Sequence, residues 1–287
     1  MNIAVLYFGN PPQVEIDRFL EAGSALPHNV STIFVQDFLK STKPIDFYDC
    51  VIPRPWIVRN LETELHVLEQ LKILGVPVLN SFHSICNAKN KKSTLDLLVS
   101  AGVPITRSVP IYTLEDFDLA STAMGGLPVV AKDPFGTYGQ GVMLVKNFEQ
   151  AKGVLTDWIL ASGLILVQKF YSEAMGKDTR VLVIGGKAIG AITRQAQKGE
   201  FRSNIELGGV PKGVLLTDEY ASLAVRATNA LGLQVAGVDI LESKDGPLVI
   251  EVNSNPGFSR VFEKTTGLDV AKAILEFAVL YSQKGEQ

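Results

Sequence analysis

The sequence predicts a mixed α/β and α+β chain: an open parallel unit, then a section built around a glycine-rich loop, then a largely antiparallel part. Three observations carry this. Short β-rich runs alternate with helical stripes up to residue 83, three glycines crowd between two apolar runs after residue 135, and two hairpin signatures follow residue 170.

In the first unit, residues 1–83, "IAVLYF" and "VSTIFV" are nearly continuous in apolar character, as strands covered on both faces are. "DCVIPR" reads as a third strand. "LETELHVLEQLKILG" places Leu61, Leu65, Leu68, Leu71 and Leu74 on one helical stripe, stopped by Gly75. "VPVLN" returns as a strand, which makes the unit parallel. The first strand runs into "GNPPQ" and not into a Gly-x-Gly-x-x-Gly turn. Its prolines remove amide donors that a pyrophosphate needs, which weighs against a nicotinamide-dependent oxidoreductase.

The second unit, residues 84–166, reads as helices at "KSTLDLLVSAG", "LEDFDLASTAM" and "FEQAKGVLTDWILAS", with strands at "LPVVAK" and "GVMLVKN" around the glycine loop. The third, residues 167–287, begins within "LILVQKF". "RVLVIGGKAIGAIT" is a hairpin around Gly185-Gly186, where both turn positions accept positive φ. A helix starts near Thr217 with Asp218 and Glu219 in its first turn, where acids favour the helix dipole. A second hairpin and a final helix, "LDVAKAILEFAVLYSQ", end the chain.

The 287 residues are 46% apolar and 20% charged, a globular balance slightly poor in charge. That shortage points to buried subunit surface, so a homo-oligomer, dimer or tetramer, is expected. A net charge of −3 argues against a nucleic-acid or anionic-membrane binder. Cys50 and Cys86 cannot form a disulfide framework and lack metal-site spacing, so they read as thiols in a reducing compartment. "MNIAVLYFG" has no basic start or small-residue cleavage site, and no apolar run has the length of a membrane span. A cytoplasmic protein is expected.

The chemistry starts from "GPLVIEVNSNPG", where Glu251 interrupts an apolar run. A buried, isolated carboxylate loses its water and gains nothing. With Lys244-Asp245-Gly246 as a three-residue hairpin loop, Asp239 lies opposite Glu251, and Asn253 shares the face of Glu251. Facing acids repel unless a hard divalent cation joins them, and oxygen-only ligands favour Mg²⁺ shared with substrate phosphates. A solvated hairpin fits the same residues equally well, and a one-residue slip would send the two acids to opposite faces.

"VVAKDPFGTYGQGVMLV" ends a strand in Lys132 and then offers Gly136, Gly139 and Gly141. Glycines let backbone amides approach phosphates. No Lys-Ser/Thr follows and a strand comes next, so this is not a Walker A loop. It reads as a lid between strands, or as an ordinary flexible hairpin. Lys89, Lys91 and Lys92 cluster before a helix; a solvated face accounts for at least two of them, with one retained for phosphate.

In this order the pieces resemble the ATP-grasp superfamily over nearly the whole chain, the spaced Asp and Glu-x-Asn pattern being the most specific part. "DTRVLVIGGKAIGAITRQAQKGEFRSNIELGG" and "AGVDIL…GPLVIEVN" are similar to its branch of L-glutamate ligases. The resemblance implies an ATP-grasp fold: a Rossmann-like N-terminal domain, a central flap domain and a C-terminal antiparallel-sheet domain. Lys91 and Lys132 match lysines on ATP phosphates, and Gly136, Thr137, Tyr138, Gly139, Gln140 and Gly141 match the flap. Gln168, Lys169 and Phe170 match the adenine-holding segment, and Asp178 an acid near the nucleotide. Arg202, Ser203 and Asn204 match a motif at the nucleotide and reaction centre, while Asp239, Glu251 and Asn253 match the metal ligands. Arg180 and Arg194 align with arginines assigned to anionic substrates.

Two departures stand out: Lys169 replaces the branch's usual acid, and "SNPGFSRVFEK" replaces Ser-Pro-Gly-Leu-Glu-Gly. Asn255, Phe258 and Arg260 therefore alter a segment close to the acceptor pocket. The resemblance implies ATP as substrate, Mg²⁺ or Mn²⁺ as two ions, L-glutamate as incoming amine, and a small-molecule or peptide carboxylate as acceptor. It implies amide formation through an acyl phosphate, with Arg180, Arg194, Arg202 and Asn204 at the reacting groups. No covalent nucleophile is in sight: His28, His66 and His83 lie away from every motif. Rivals are a ligase using another amine, or a nucleotide-binding module without turnover, which would keep the flap but lose metal ligands or arginines.

Overall fold

The computed structural model describes residues 1–41, 47–56, 61–136, 139–174 and 176–284. Strand β1 (Asn2–Gly9), helix α1 (Gln13–Ser24), β2 (Asn29–Phe34), α2 (Val35–Lys40), β3 (Cys50–Trp56) and α3 (Leu61–Ile73) form a parallel sheet in the order β2-β1-β3. Ala4, Leu6 and Phe8 face one side of β1, and Ile3, Val5 and Tyr7 the other; all are fully buried. This is why the run reads as unbroken apolar sequence. Leu65, Leu68 and Leu71 of α3 are buried, but Leu74 falls beyond the helix and is 54% exposed. "VPVLN" is not a full strand: it makes one parallel bridge, Val78 to Val51.

The middle of the chain holds α4 (Phe82–Lys89), α5 (Lys91–Ser100), β4 (Ser108–Ile111), α6 (Phe117–Ala123), β5 (Val129–Lys132), β6 (Val142–Val145), α7 (Phe148–Ser162) and β7 (Ile165–Lys169). Its antiparallel sheet runs β4-β7-β5-β6 over α6 and α7. The expected border at 166/167 falls within β7, whose partners β4 and β5 both precede it.

The third sheet has the order β10-β9-β8-β11-β12, from β8 (Lys177–Ile184), β9 (Lys187–Gln195), β10 (Val210–Val214), β11 (Val235–Ser243) and β12 (Gly246–Asn253). Between β10 and β11 runs α8 (Asp218–Ala230), capped by the Thr217 side chain; α9 (Phe262–Thr266) and α10 (Val270–Lys284) follow β12. The β8–β9 turn uses Gly185 and Gly186 at φ of 57° and 74°, as the glycine pair requires. Val181, Val183, Ala236, Val238 and Ile240 pack under α8. Leu182, Ile184, Ile192 and Val235 face the other way, into one core with α10, α1 and β1. The N-terminal unit is therefore fixed against the same sheet face that carries the acids.

Candidate active site

Alternation along these strands puts Asp178, Arg180, Arg194, Asp239, Glu251 and Asn253 on one face, on the side of the N-terminal unit. Asp239 is paired with Glu251 across β11–β12, as expected, but by a different route. The loop has two residues, Lys244 and Asp245, with Ser243 opposite Gly246, and a bulge between Asp239 and Ile240 restores the register. The three-residue loop is thus corrected: a shorter turn and one extra residue in β12 cancel, and both acids stay on one face.

Asp239 is not waiting for a partner. Arg180, opposite it on β8, forks onto both carboxylate oxygens at 2.7 Å, and Arg194 reaches Oδ2 at 3.0 Å. Burial raises the Asp239 pKa, but the two guanidinium charges outweigh it and hold the carboxyl at about 2. Arg194 also forks onto Asp178, so the buried row reads Asp178–Arg194–Asp239–Arg180.

Glu251 makes no side-chain hydrogen bond or salt bridge among the described residues. It faces lysines. Burial pushes Lys132 down to about 8 against the pull of Glu251, and does the same to Lys89; Lys91 is lowered by burial too. Of the lysine cluster only Lys92 is a solvated-face residue, paired with Asp96 along its helix. Lys89 and Lys91 both turn inward, which corrects the expectation that two of the three face solvent. Lys89 was legible only as part of that cluster; as the last residue of α4, on a helix the sequence did not reveal, it enters the site from an unforeseen direction.

Two cavities meet here. The smaller, about 140 Å³, is lined by Lys132, Gln168, Phe170, Asp178, Ser203 and Asp239. The larger, about 280 Å³, is lined by Lys89, Arg180, Asn253 and the 254–261 segment. Lys91, Gly136, Arg194, Asn204 and Glu251 belong to both walls. Gln168 is fixed by hydrogen bonds to Thr106 and Ser108, while Phe170 meets Phe201 edge-on at 6.3 Å. Lys169 is exposed on the rim of the smaller cavity, its ammonium 5.2 Å from the Tyr171 ring centre.

The glycine loop folds over this junction. Lys91 donates to the Gly136 carbonyl, and Arg202 to that of Gly139 at 2.7 Å, while Glu200 grips the rest of the Arg202 guanidinium. Gly139 is packed against Asn204 and Leu207, so the "FRSN" segment is the surface on which the loop rests. Gln140 points to solvent, and Thr137 and Tyr138 lie outside the described residues.

The donor set is chemically suited to a hard cation. Asp239, Glu251 and Asn253 offer only oxygens once the Asn253 amide nitrogen is turned to Gly237 O and Asp239 Oδ2, at 3.4 Å each. Around them Lys89, Lys91, Lys132, Arg180, Arg194 and Arg202 outnumber Asp178, Glu200, Asp239 and Glu251, which leaves positive charge for a polyanion.

Comparison with known proteins gives a consistent result. Residues 88–278 match the RimK-like ATP-grasp domain. A protein of Picosynechococcus named "probable alpha-L-glutamate ligase" is 36% identical over 288 residues, covering 96% of this chain and 95% of its own. A RimK-domain ATP-grasp protein from Sphaerobacter thermophilus has a similar fold, with a TM-score of 0.72 at 22% identity over 96% of this chain and 99% of its own. The ATP-grasp ligase PsnB, solved with a minimal precursor, Mg and ADP, also gives 0.72 at 21% identity over 98% and 97% of the two chains.

Proposed function

Because this chain belongs to the RimK-like ATP-grasp family of ligases, we propose that it joins L-glutamate to an acceptor carboxylate at the cost of ATP. The observation that carries this reading is the shared wall. A smaller cationic cavity and a larger one open on the same residues, Lys91, Arg194, Asn204 and Glu251, so a phosphoryl group on one side meets a carboxylate on the other.

Adenine fits the smaller cavity beside Gln168 and Phe170, with the phosphates toward Lys132 and Lys91 under the glycine loop. An oxygen of the acceptor carboxylate, steered by Arg180, attacks the γ-phosphorus, and ADP leaves. The resulting acyl phosphate lies among Arg194, Arg202 and Asn204, whose positive charge and amide favour the spread of negative charge. The neutral amine nitrogen of glutamate then attacks the acyl carbon, the C–O bond to phosphate breaks, and the departing phosphate takes the proton that the nitrogen gives up as the amide forms. Asp239, Glu251 and Asn253 would hold Mg²⁺, which neutralises phosphate charge when bound. The loop over the junction keeps water from the acyl phosphate.

No helix among the described residues is long and apolar enough to cross a membrane. Cys50 is a buried thiol, which suits the cytoplasm as the working compartment. The test is a phosphate-release screen of carboxylates crossed with amino acids, products identified by mass. Amide product formed with glutamate and ATP supports the reading; ATP turnover with no amide from any pair overturns it.

A further inference from the structure

Three lysines are turned into the site, and the two cavities divide them. Lys132 lines only the smaller cavity, Lys91 lines both, and Lys89 lines only the larger. In the ligase reading Lys132 and Lys91 serve the phosphates, and Lys91 also donates to the Gly136 carbonyl. Lys89 has no such task. Among the described residues its ammonium makes no hydrogen bond and no salt bridge. The acids of the larger cavity leave it so: Glu15 is taken by Arg54 at 2.8 Å, Glu206 is exposed, and Glu251 attracts Lys89 without forming an ion pair. Burial lowers Lys89 to about 8 against the pull of Glu251, and the charges of Lys91 and Arg54 push the same way as burial. A desolvated ammonium without an acceptor is costly until an anion arrives.

The fold fixes where that anion must lie. Lys89 ends α4, which is capped by the Ser81 side chain and lies against β12, and a cation suits the last turn of a helix. Lys89 responds to Glu251 and Lys91, and both of these line the wall that the two cavities share. An anion that reaches Lys89 from the larger cavity therefore lies beside the phosphoryl group. The arginines there are already engaged, since Arg180 forks onto Asp239 and Arg194 onto Asp178. A metal ion on Asp239, Glu251 and Asn253 would offset the charge of Glu251, which increases the need of Lys89 for another anion.

Building on the ligase reading, we infer that Lys89 is a catalytic residue of the larger cavity, donating to the acceptor-carboxylate oxygen that does not attack phosphorus. That oxygen becomes the carbonyl oxygen of the acyl phosphate. When the neutral amine adds to the carbon, the electron pair of the C=O bond moves onto this oxygen, and the Lys89 ammonium stabilises the oxyanion. The pair returns as the C–O bond to phosphate breaks. Lys89 keeps its proton throughout, because the departing phosphate takes the one that the nitrogen gives up.

The experiment takes the acid most active in the phosphate-release screen and the primary amide of its reacting carboxyl group. Both are titrated by calorimetry in the presence of ADP and Mg²⁺, where no phosphoryl group can transfer. The unaltered protein should bind the acid about 10- to 100-fold more tightly than the amide. Lys89→Met should narrow that gap to about threefold or less, while ADP affinity stays within about twofold. Lys89→Arg should restore most of it. In turnover, Lys89→Met should raise KM for the acceptor and lower kcat about 100-fold, with KM for ATP and for glutamate within about twofold. If the methionine variant fails to fold, Lys89→Gln is read in the same way. A gap that survives the loss of the ammonium, or a loss that falls equally on ADP or glutamate, overturns the assignment and leaves the ligase reading standing. Absence of amide product from every acid overturns both.

Discussion

The two strands of the C-terminal hairpin carry facing acids in opposite situations. On β11, Asp239 is buried, 4% exposed, and forked by Arg180 with Arg194 behind it. On β12, Glu251 is partly exposed, makes no side-chain hydrogen bond among the described residues, and faces Lys89, Lys91 and Lys132. The cavities mirror the split: Asp239 lines only the smaller one, while Glu251 lines both. Register alone does not decide what an acid does. Its neighbours on the next strand out do, and β11 has β8 beside it whereas β12 is the edge. Asp239 is paired with the arginines, and Glu251 has no such pairing among the described residues.

The most severe test of this contrast replaces each acid in turn. Asp239→Ala strands Arg180, 17% exposed, and takes from the buried Arg194 one of its two acids, and should cost about 3–5 kcal/mol in denaturant unfolding along with all turnover. Glu251→Gln removes a charge without hydrogen-bond partners, so stability should change by less than about 1 kcal/mol. Turnover should still fall about 100-fold or more, as when one charge-stabilising group is lost. Similar stability losses for the two would break the contrast.

A smaller effect sharpens the Glu251 side. Lys132→Met should weaken ATP binding about 10- to 100-fold, read by calorimetry, because a buried cation no longer meets the phosphates. Lys89 and Lys132 lie near 8 in the folded protein against an ordinary 10.5. Between about 8 and 10.5 the unfolded chain therefore binds more protons, and the ligand-free protein should gain stability as pH rises through that window. ATP affinity should move the other way, since neutral lysines lose their attraction for phosphate. In Glu251→Gln both changes should begin at lower pH, because the acid that supports the charged lysines is gone.

How much of this could be read beforehand follows from which interactions are local. The facing of Asp239 and Glu251 was legible because alternation and a glycine turn sit within fifteen residues of sequence, and a misplaced loop was compensated by a bulge no pattern announced. The parallel unit was legible for the same reason: β1 is buried on both faces, so its whole run is apolar. Lys89 was not, because whether a lysine on a short helix points inward depends on what covers it. Glu15 and Arg54 were missed altogether. Their pairing spans 39 residues, and no local pattern in either segment announces it.

The smallest expected effect separates the two walls of the junction. Gly139 has φ of 76°, and a Cβ there would stand 2.8 Å from Leu207 Cδ1 and 3.3 Å from Asn204 Oδ1. Alanine in that left-handed conformation costs about 1–2 kcal/mol, and the flexible Leu207 end can yield to the new methyl. Gly139 lines only the smaller cavity, so Gly139→Ala should raise KM for ATP several-fold and leave KM for acceptor and glutamate unchanged. Gly136 lines both cavities, and its Cβ would strike the Gln140 carbonyl, a backbone atom that cannot swing away. Gly136→Ala should therefore disturb ATP and acceptor together, as Glu251 does, while Gly139→Ala stays on the Asp239 side. Steady-state kinetics with each substrate varied in turn would show the split, and a rise in acceptor KM for Gly139→Ala would mean that the walls are not separable.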